Sequence, residues 1–231
     1  KQKSKHWNMI DVSDHLPIFC KTKKQKASWI RMIIPEIVED DKIVIHDAKN
    51  MFTKKNIVSS LQILEETDIF TYYHSNRPKF VDECLFYILS GFTPPHDIFN
   101  YITHLKLRKF NFEKYRNLNI PYICINNNQA IRNFFKDWRE LYFENLKYKI
   151  IRDQLSFSMS VLENENLKFS FLSNNFYDKN SKYSALSFPY IEHNLHLSSM
   201  NKKIKFDHSV ARTYKPLLEN LTNSSGNVWW N

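Results

Sequence analysis

Four short runs rich in β-branched and aromatic residues, Ile43-Val44-Ile45, Asp68–Tyr73, Tyr122–Ile125 and Lys168–Leu172, are separated by segments with helical apolar spacing. Runs this short fit buried strands, and the segments between them are long enough for helices. The alternation predicts an α/β fold with a mainly parallel central sheet flanked by helices. Helices are expected over Ala27–Val38, which Pro35 kinks or ends, over Asn56–Glu66, and over Val81–Ser90, with Gly91 as its C-cap. Three more are expected over His96–Lys109, over Gln129–Leu146, and from Gln154 to about Glu163 with Asp153 as N-cap. In Gln129–Leu146 the residues Ile131, Phe134, Phe135, Trp138, Leu141, Tyr142 and Leu146 form one broad apolar face, which predicts a core helix. Asn126-Asn127-Asn128 reads as a turn in which Asn can take the left-handed conformation. Tyr214–Leu221 reads as a short helix. No repeat or linker divides the chain, so its 231 residues are taken as one domain, with 173–231 as an irregular C-terminal extension.

The hydrophobic fraction is 42% and the aromatic fraction 15%, enough for a sizeable core. Glycine occurs only at Gly91 and Gly226, which excludes the glycine-rich phosphate cradles of dinucleotide-binding and P-loop proteins. The three cysteines, Cys20, Cys84 and Cys124, contain no C-x-x-C pair. They are expected as free thiols in a reducing compartment. No apolar run reaches the roughly 18 residues of a spanning helix, and no signal-peptide pattern opens the sequence. A cytoplasmic location is therefore expected.

The net charge of +9 suits phosphate-bearing partners. The cations are spread along the chain except at Lys21–Lys26 and Lys202–Lys205, which argues against nucleic acid as the main partner. The first run is either a solvated loop or a peripheral contact with anionic lipid, at about 1 kcal/mol per Lys.

Four constellations could carry chemistry. The Ile43-Val44-Ile45 strand ends at His46-Asp47-Ala48-Lys49-Asn50, and Asp47 is expected at the end of a central strand, where ligands of α/β sheets bind. Asp47 and Asn50 supply oxygens for a divalent cation bridging a diphosphate, or simply cap a turn. After the next strand comes His74-Ser75-Asn76-Arg77, then Glu83 on a helix; Arg77 and Glu83 either face a ligand or pair with each other. Arg152-Asp153-Gln154-Leu155-Ser156-Phe157 places a carboxylate at a helix start, where the dipole favours an anion: a general base, a ligand or a plain N-cap. Among the C-terminal histidines His193, His196 and His208, the spacing is weak evidence for metal.

Taken in order, Ile43–Asn50, His74–Glu83, Pro121–Trp138 and Arg152–Phe157 resemble the GT-A-type glycosyltransferases of polysaccharide loci and plant cell-wall synthesis. The R-D-Q-L-S-F run after the Trp helix is the most specific part, and the resemblance spans residues 27–172. It implies a GT-A-like, Rossmann-related domain that transfers a sugar from a nucleotide-sugar donor to a glycan or lipid-linked acceptor. Asp47, with Asn50 and His208, would hold Mn²⁺ or Mg²⁺. His74, Arg77, Glu83 and Lys49 would line the donor. Asp153 would be the catalytic base, with Gln154 beside it for sugar hydroxyls. Base and metal site would then lie roughly 6–12 Å apart, the span of one sugar ring. The alternatives are a basic nucleic-acid-binding module and a catalytically degenerate domain that only binds.

Overall fold

In a computed structural model of the chain, the described residues are 9–46, 50–52, 61–73, 77–172, 191–193 and 208–223; within these, 50–52, 72, 119, 121, 172, 191–193 and 208–210 are described by backbone alone. A 3₁₀ turn at Ser13–His15 precedes helix α1 (Lys23–Ile37). Strands β1 (Lys42–His46), β2 (Asn50–Phe52) and β3 (Ile69–Tyr73) follow, then helices α2 (Phe80–Leu89) and α3 (Pro95–Leu107). Strand β4 (Leu118–Asn126) leads to α4 (Gln129–Leu146), α5 (Asp153–Glu163), β5 (Phe169–Leu172), β6 (Ile191–His193) and α6 (His208–Asn223).

The architecture is α/β, but the four-stranded sheet is mixed, in the order β1-β4-β3-β5. Strand β4 runs antiparallel to both β1 and β3, and only β3 and β5 pair in parallel. A mainly parallel sheet was expected because short apolar strands alternate with helical segments. Between β3 and β4, however, lie two helices, and the second undoes the return made by the first. The chain re-enters at the edge it left, so that Leu118 lies opposite Tyr73. This inserts β4 into the middle and leaves β1, expected to be central, at the edge. Outside this sheet, β2 and β6 pair as an antiparallel ribbon.

The period of two sorts the strand residues between two cores. Ile43, Ile45, Ile69, Ile123 and Ile125 pack with Met32 of α1, Phe157 of α5 and Ile131, Phe134, Phe135, Trp138 and Tyr142 of α4. The alternate residues Phe70, Tyr122 and Cys124, with Val44 beside them, face Ile63 and Leu64 on the other side. A third cluster is helical: Phe80, Cys84 and Tyr87 of α2 meet Ile98, Tyr101 and Ile102 of α3, with Leu155 and Met159 of α5 and Leu218 of α6. Trp138, Phe134 and Phe135 are fully buried, as the α4 pattern predicts. Truncating one of them to Ala would cost about 3–5 kcal/mol.

Local chemistry sets the element ends. Helix α1 starts ahead of the expected Ala27 because Thr22 and Gln25 form a capping box, with hydrogen bonds of 3.1 and 2.9 Å. Pro35 lies inside its last turn, and the helix stops at Ile37. Gly91 closes α2 at φ 65°, a conformation that other residues reach only under strain. The asparagine turn works differently from expectation, since no Asn there is left-handed. Asn128 accepts from the Ile131 N–H as the α4 cap, while Asn126 donates to the Leu64 and Thr67 carbonyls and Asn127 to those of Val38 and Asp40. Helix α6 is longer than the expected Tyr214–Leu221, and it docks Leu218 into the helical core. All three cysteines are buried free thiols.

Candidate functional site

Strands β1, β3 and β5 all end at one edge of the sheet, and β4 begins there. The segments leaving that edge include Asp47, Lys49 and His74, which lie outside the described residues, as do the side chains of Asn50 and His208. The remaining sequence-named residues, Arg77, Glu83, Asp153 and Gln154, are described; a short chain of contacts joins Arg77, Glu83 and Gln154, while the Asp153 carboxylate goes to Arg31.

Glu83 is fully buried on α2, and Arg77 Nε lies 3.2 Å from its Oε2. The same oxygen accepts from Asn117 Nδ2 at 2.9 Å, and Gln154 Nε2 donates to Asn117 Oδ1 at 3.3 Å. Tyr115 donates its hydroxyl to that Oδ1 as well, at 3.1 Å. Asn117 is itself fixed by its backbone N–H, which donates to the Pro78 carbonyl at 2.9 Å. The H-x-x-R…E and R-D-Q segments, far apart in sequence, thus meet through one asparagine. Arg77 and Glu83 pair with each other, and Gln154 points into the protein toward this network.

Asp153 is the first residue of α5 and Arg152 is its N-cap residue, so the expected N-cap role of Asp153 is not the one found. Its carboxylate forms an ion pair with Arg31 of α1, both side chains being largely buried at 15% and 10% exposure. Its carbonyl accepts from Trp138 Nε1 at 3.2 Å, which ties the start of α5 to the core helix.

Around these carboxylates stand four cations: Lys24, Arg31, Arg77 and Arg152. Arg77 lies 3.7 Å from the Phe86 ring centroid and Arg152 lies 5.0 Å from the same ring. Lys24 Nζ sits 4.0 Å from the Phe92 centroid, with Arg152 5.6 Å from that ring. The pKa of Lys24 is lowered to about 8, first by burial, then by the nearby charge of Arg152, while Asp153 and Glu83 oppose the shift. Burial lowers that of Arg77 too, against the pull of Glu83. Two carboxylates against four cations leave the described cluster positive, with the Phe86 and Phe92 rings against its cations. Such a place favours an anionic ligand. Among the described residues, Glu83 Oε1 and the Tyr87 hydroxyl are buried without a hydrogen-bond partner, a cost of about 1–3 kcal/mol each.

Sequence reasoning missed Lys24, Arg31, Tyr87 and Asn117. Arg31 carried a signal, a charge set inside Trp29-Ile30-Arg31-Met32-Ile33. Lys24 was hidden in a basic run, and Asn117 had no local signal. Among the described residues, no three His, Cys, Asp or Glu side chains group as a metal site requires. Both carboxylates of the cluster are committed to arginines. No helix among the described residues is long and apolar enough to cross a membrane.

Compared with models of known protein families, with curated proteins and with solved structures, the chain matches none of them.

Proposed function

We propose that this chain is a nucleotide-sugar-dependent glycosyltransferase with a GT-A-like core over residues 27–172, acting in surface polysaccharide or glycoconjugate synthesis. One observation carries the proposal. Two of the four segments with the family resemblance, represented by Arg77–Glu83 and Arg152–Gln154, meet through Asn117 inside a cation-rich cluster. A leaving nucleoside diphosphate develops negative charge, and preorganised cations stabilise it most where water is excluded. Arg77, Arg152 and Lys24 would supply this charge. Asp153 would take the proton of the acceptor hydroxyl, with Arg31 positioning its carboxylate. Asp47, with Asn50 and His208, would hold Mn²⁺ or Mg²⁺, which when bound neutralises diphosphate charge. His74 and Lys49 would line the donor, and Gln154 would position the network. The exposed Lys21, Lys23 and Lys26, beside the fully exposed Ile18, would give a peripheral contact with the membrane of a lipid-linked acceptor.

The pairing of Glu83 and Asp153 with arginines favours a second reading, a domain that binds a nucleotide sugar without turning it over. One experiment separates the two. The protein is titrated with uridine and guanosine diphosphates, with and without Mn²⁺, and then incubated with the corresponding sugar nucleotides to follow diphosphate release. Binding with release supports the transferase. Binding without release supports the binding domain. No binding of either diphosphate at millimolar concentration removes both.

A further inference from the structure

A cavity of about 260 Å³ opens on the α4–α5 side of the sheet, between the ends of β3 and β5 and helix α5. Its aromatic wall is Tyr73, Phe169 and Phe171. The Phe169 and Phe171 rings stack 5.9 Å apart and 8° from parallel, and Tyr73 lies 4.9 Å from Phe171. Opposite them stand Ser158 and Val161 of α5, and Arg116 lies at the mouth.

The cavity adjoins the candidate site through alternating side chains. On the extended approach to β4, Arg116 and Leu118 line the cavity while Asn117, between them, joins Glu83 and Gln154. On α5 the division falls one turn apart: Gln154 meets Asn117, and Ser158 lines the cavity. Ser158 is itself fixed, donating to the Gln154 carbonyl at 3.1 Å and accepting from the Leu118 N–H at 2.9 Å. A ligand held here would lie beside the cluster around Glu83.

We propose that this cavity binds one ring of an acidic saccharide, the acceptor end of the glycan, with Arg116 meeting its carboxylate. Three features select this chemistry. The volume lies just below the usual range for small-molecule pockets and suits a single ring. Aromatic faces carry a negative quadrupole and accept the C–H face of a sugar. The cation at the mouth is preorganised: the Glu113 and Tyr115 carbonyls hold Arg116 Nη1 at 2.7 and 2.8 Å. No carboxylate pairs with Arg116 among the described residues. Lys114 and Glu165 also line the cavity, their exposed charges 4.0 Å apart, so two cations stand there against one carboxylate. Burial raises the pKa of the Tyr73 hydroxyl and Arg116 opposes the shift, which places that charge at the aromatic wall. The acceptor role rests on the transferase proposal; saccharide binding does not.

The test uses a trimeric uronic-acid oligosaccharide and the same trimer with its carboxylates reduced to alcohols, titrated without any nucleotide. The wild-type protein should bind the acidic trimer about tenfold or more tightly than the neutral one, the gain of a charge-assisted hydrogen bond. Arg116→Gln should erase that difference and Arg116→Lys restore part of it. Tyr73→Ala should weaken both trimers. Each variant's melting curve shows whether it is folded. Equal affinity for the two trimers, or no binding of either, overturns the proposal. So does a Tyr73→Ala variant that loses uridine diphosphate binding but keeps saccharide binding, because the cavity would then belong to the donor. Selective saccharide binding by a protein that binds no nucleoside diphosphate supports the cavity and removes the transferase.

Discussion

Asn117 Nδ2 donates to Glu83 Oε2 at 2.9 Å, so an asparagine from the loop before β4 satisfies a fully buried carboxylate on α2. The same side chain accepts from Gln154 and Tyr115 through its oxygen. Its amide nitrogen must donate to the carboxylate while its oxygen accepts, and no carboxylate or apolar side chain can do both.

The first prediction concerns that amide. Asn117→Leu should destabilise the fold by about 1–3 kcal/mol, because Glu83, Gln154 and Tyr115 each lose a partner in the interior. Asn117→Asp should be at least as harmful, since it sets a second carboxylate against Glu83. The measurement is the urea midpoint at constant slope. A double-mutant cycle of Asn117→Leu with Gln154→Leu should show coupling of about 0.5 kcal/mol or more. Additive losses would mean that Gln154 does not depend on Asn117.

A second prediction separates the two ends of the Arg31–Asp153 pair. Both side chains are largely buried, at 15% and 10% exposure. Removing one partner leaves an uncompensated charge, so Arg31→Met alone should cost about 3–5 kcal/mol. The double variant Arg31→Met with Asp153→Leu should recover much of that loss, as buried pairs replaced by apolar residues often do. If Arg31→Met costs under about 1 kcal/mol by urea denaturation, the pair is solvent-screened and Arg31 does not position Asp153.

Much of the fold was legible because its signals are local. The α4 boundaries follow from one apolar face, and the β-branched and aromatic residues of Ile43–Ile45 and Ile69–Tyr73 mark two strands. What was not legible is pairwise and distant. Strand direction depended on the paired return of α2 and α3, which no local period encodes. Pairing of Arg77 with Glu83 was one of two arrangements the sequence allowed, because the five intervening residues fit either; the structure has the pair. Asp153 looked like a cap because caps and first-turn acids share one composition; only the position of Arg31, on another helix, decides where its carboxylate goes. The metal residues named from sequence, Asp47, Asn50 and His208, have side chains outside the described residues.

The third prediction follows from Lys24. Its pKa falls from the ordinary 10.5 to about 8 through burial first and Arg152 next. The folded protein therefore releases this proton before the unfolded chain does. Between about pH 8 and 10.5 the unfolded state binds more protons here, so this lysine contributes stability that rises with pH across that window. Binding of an anion should run the other way. A diphosphate needs the ammonium form, so affinity should be full below about pH 8 and weaken above it. Lys24→Met should flatten the pH profile of binding between pH 7 and 9 and remove the lysine's part of the rise in stability, while lowering affinity at pH 7. Isothermal titration with uridine diphosphate across that range, beside urea midpoints at the same pH values, gives both quantities. If wild type and Lys24→Met lose affinity in parallel as the pH rises, another group governs the site and Lys24 is no part of the anion contact. If both profiles stay flat while the affinities differ, Lys24 contacts the anion but titrates outside this window.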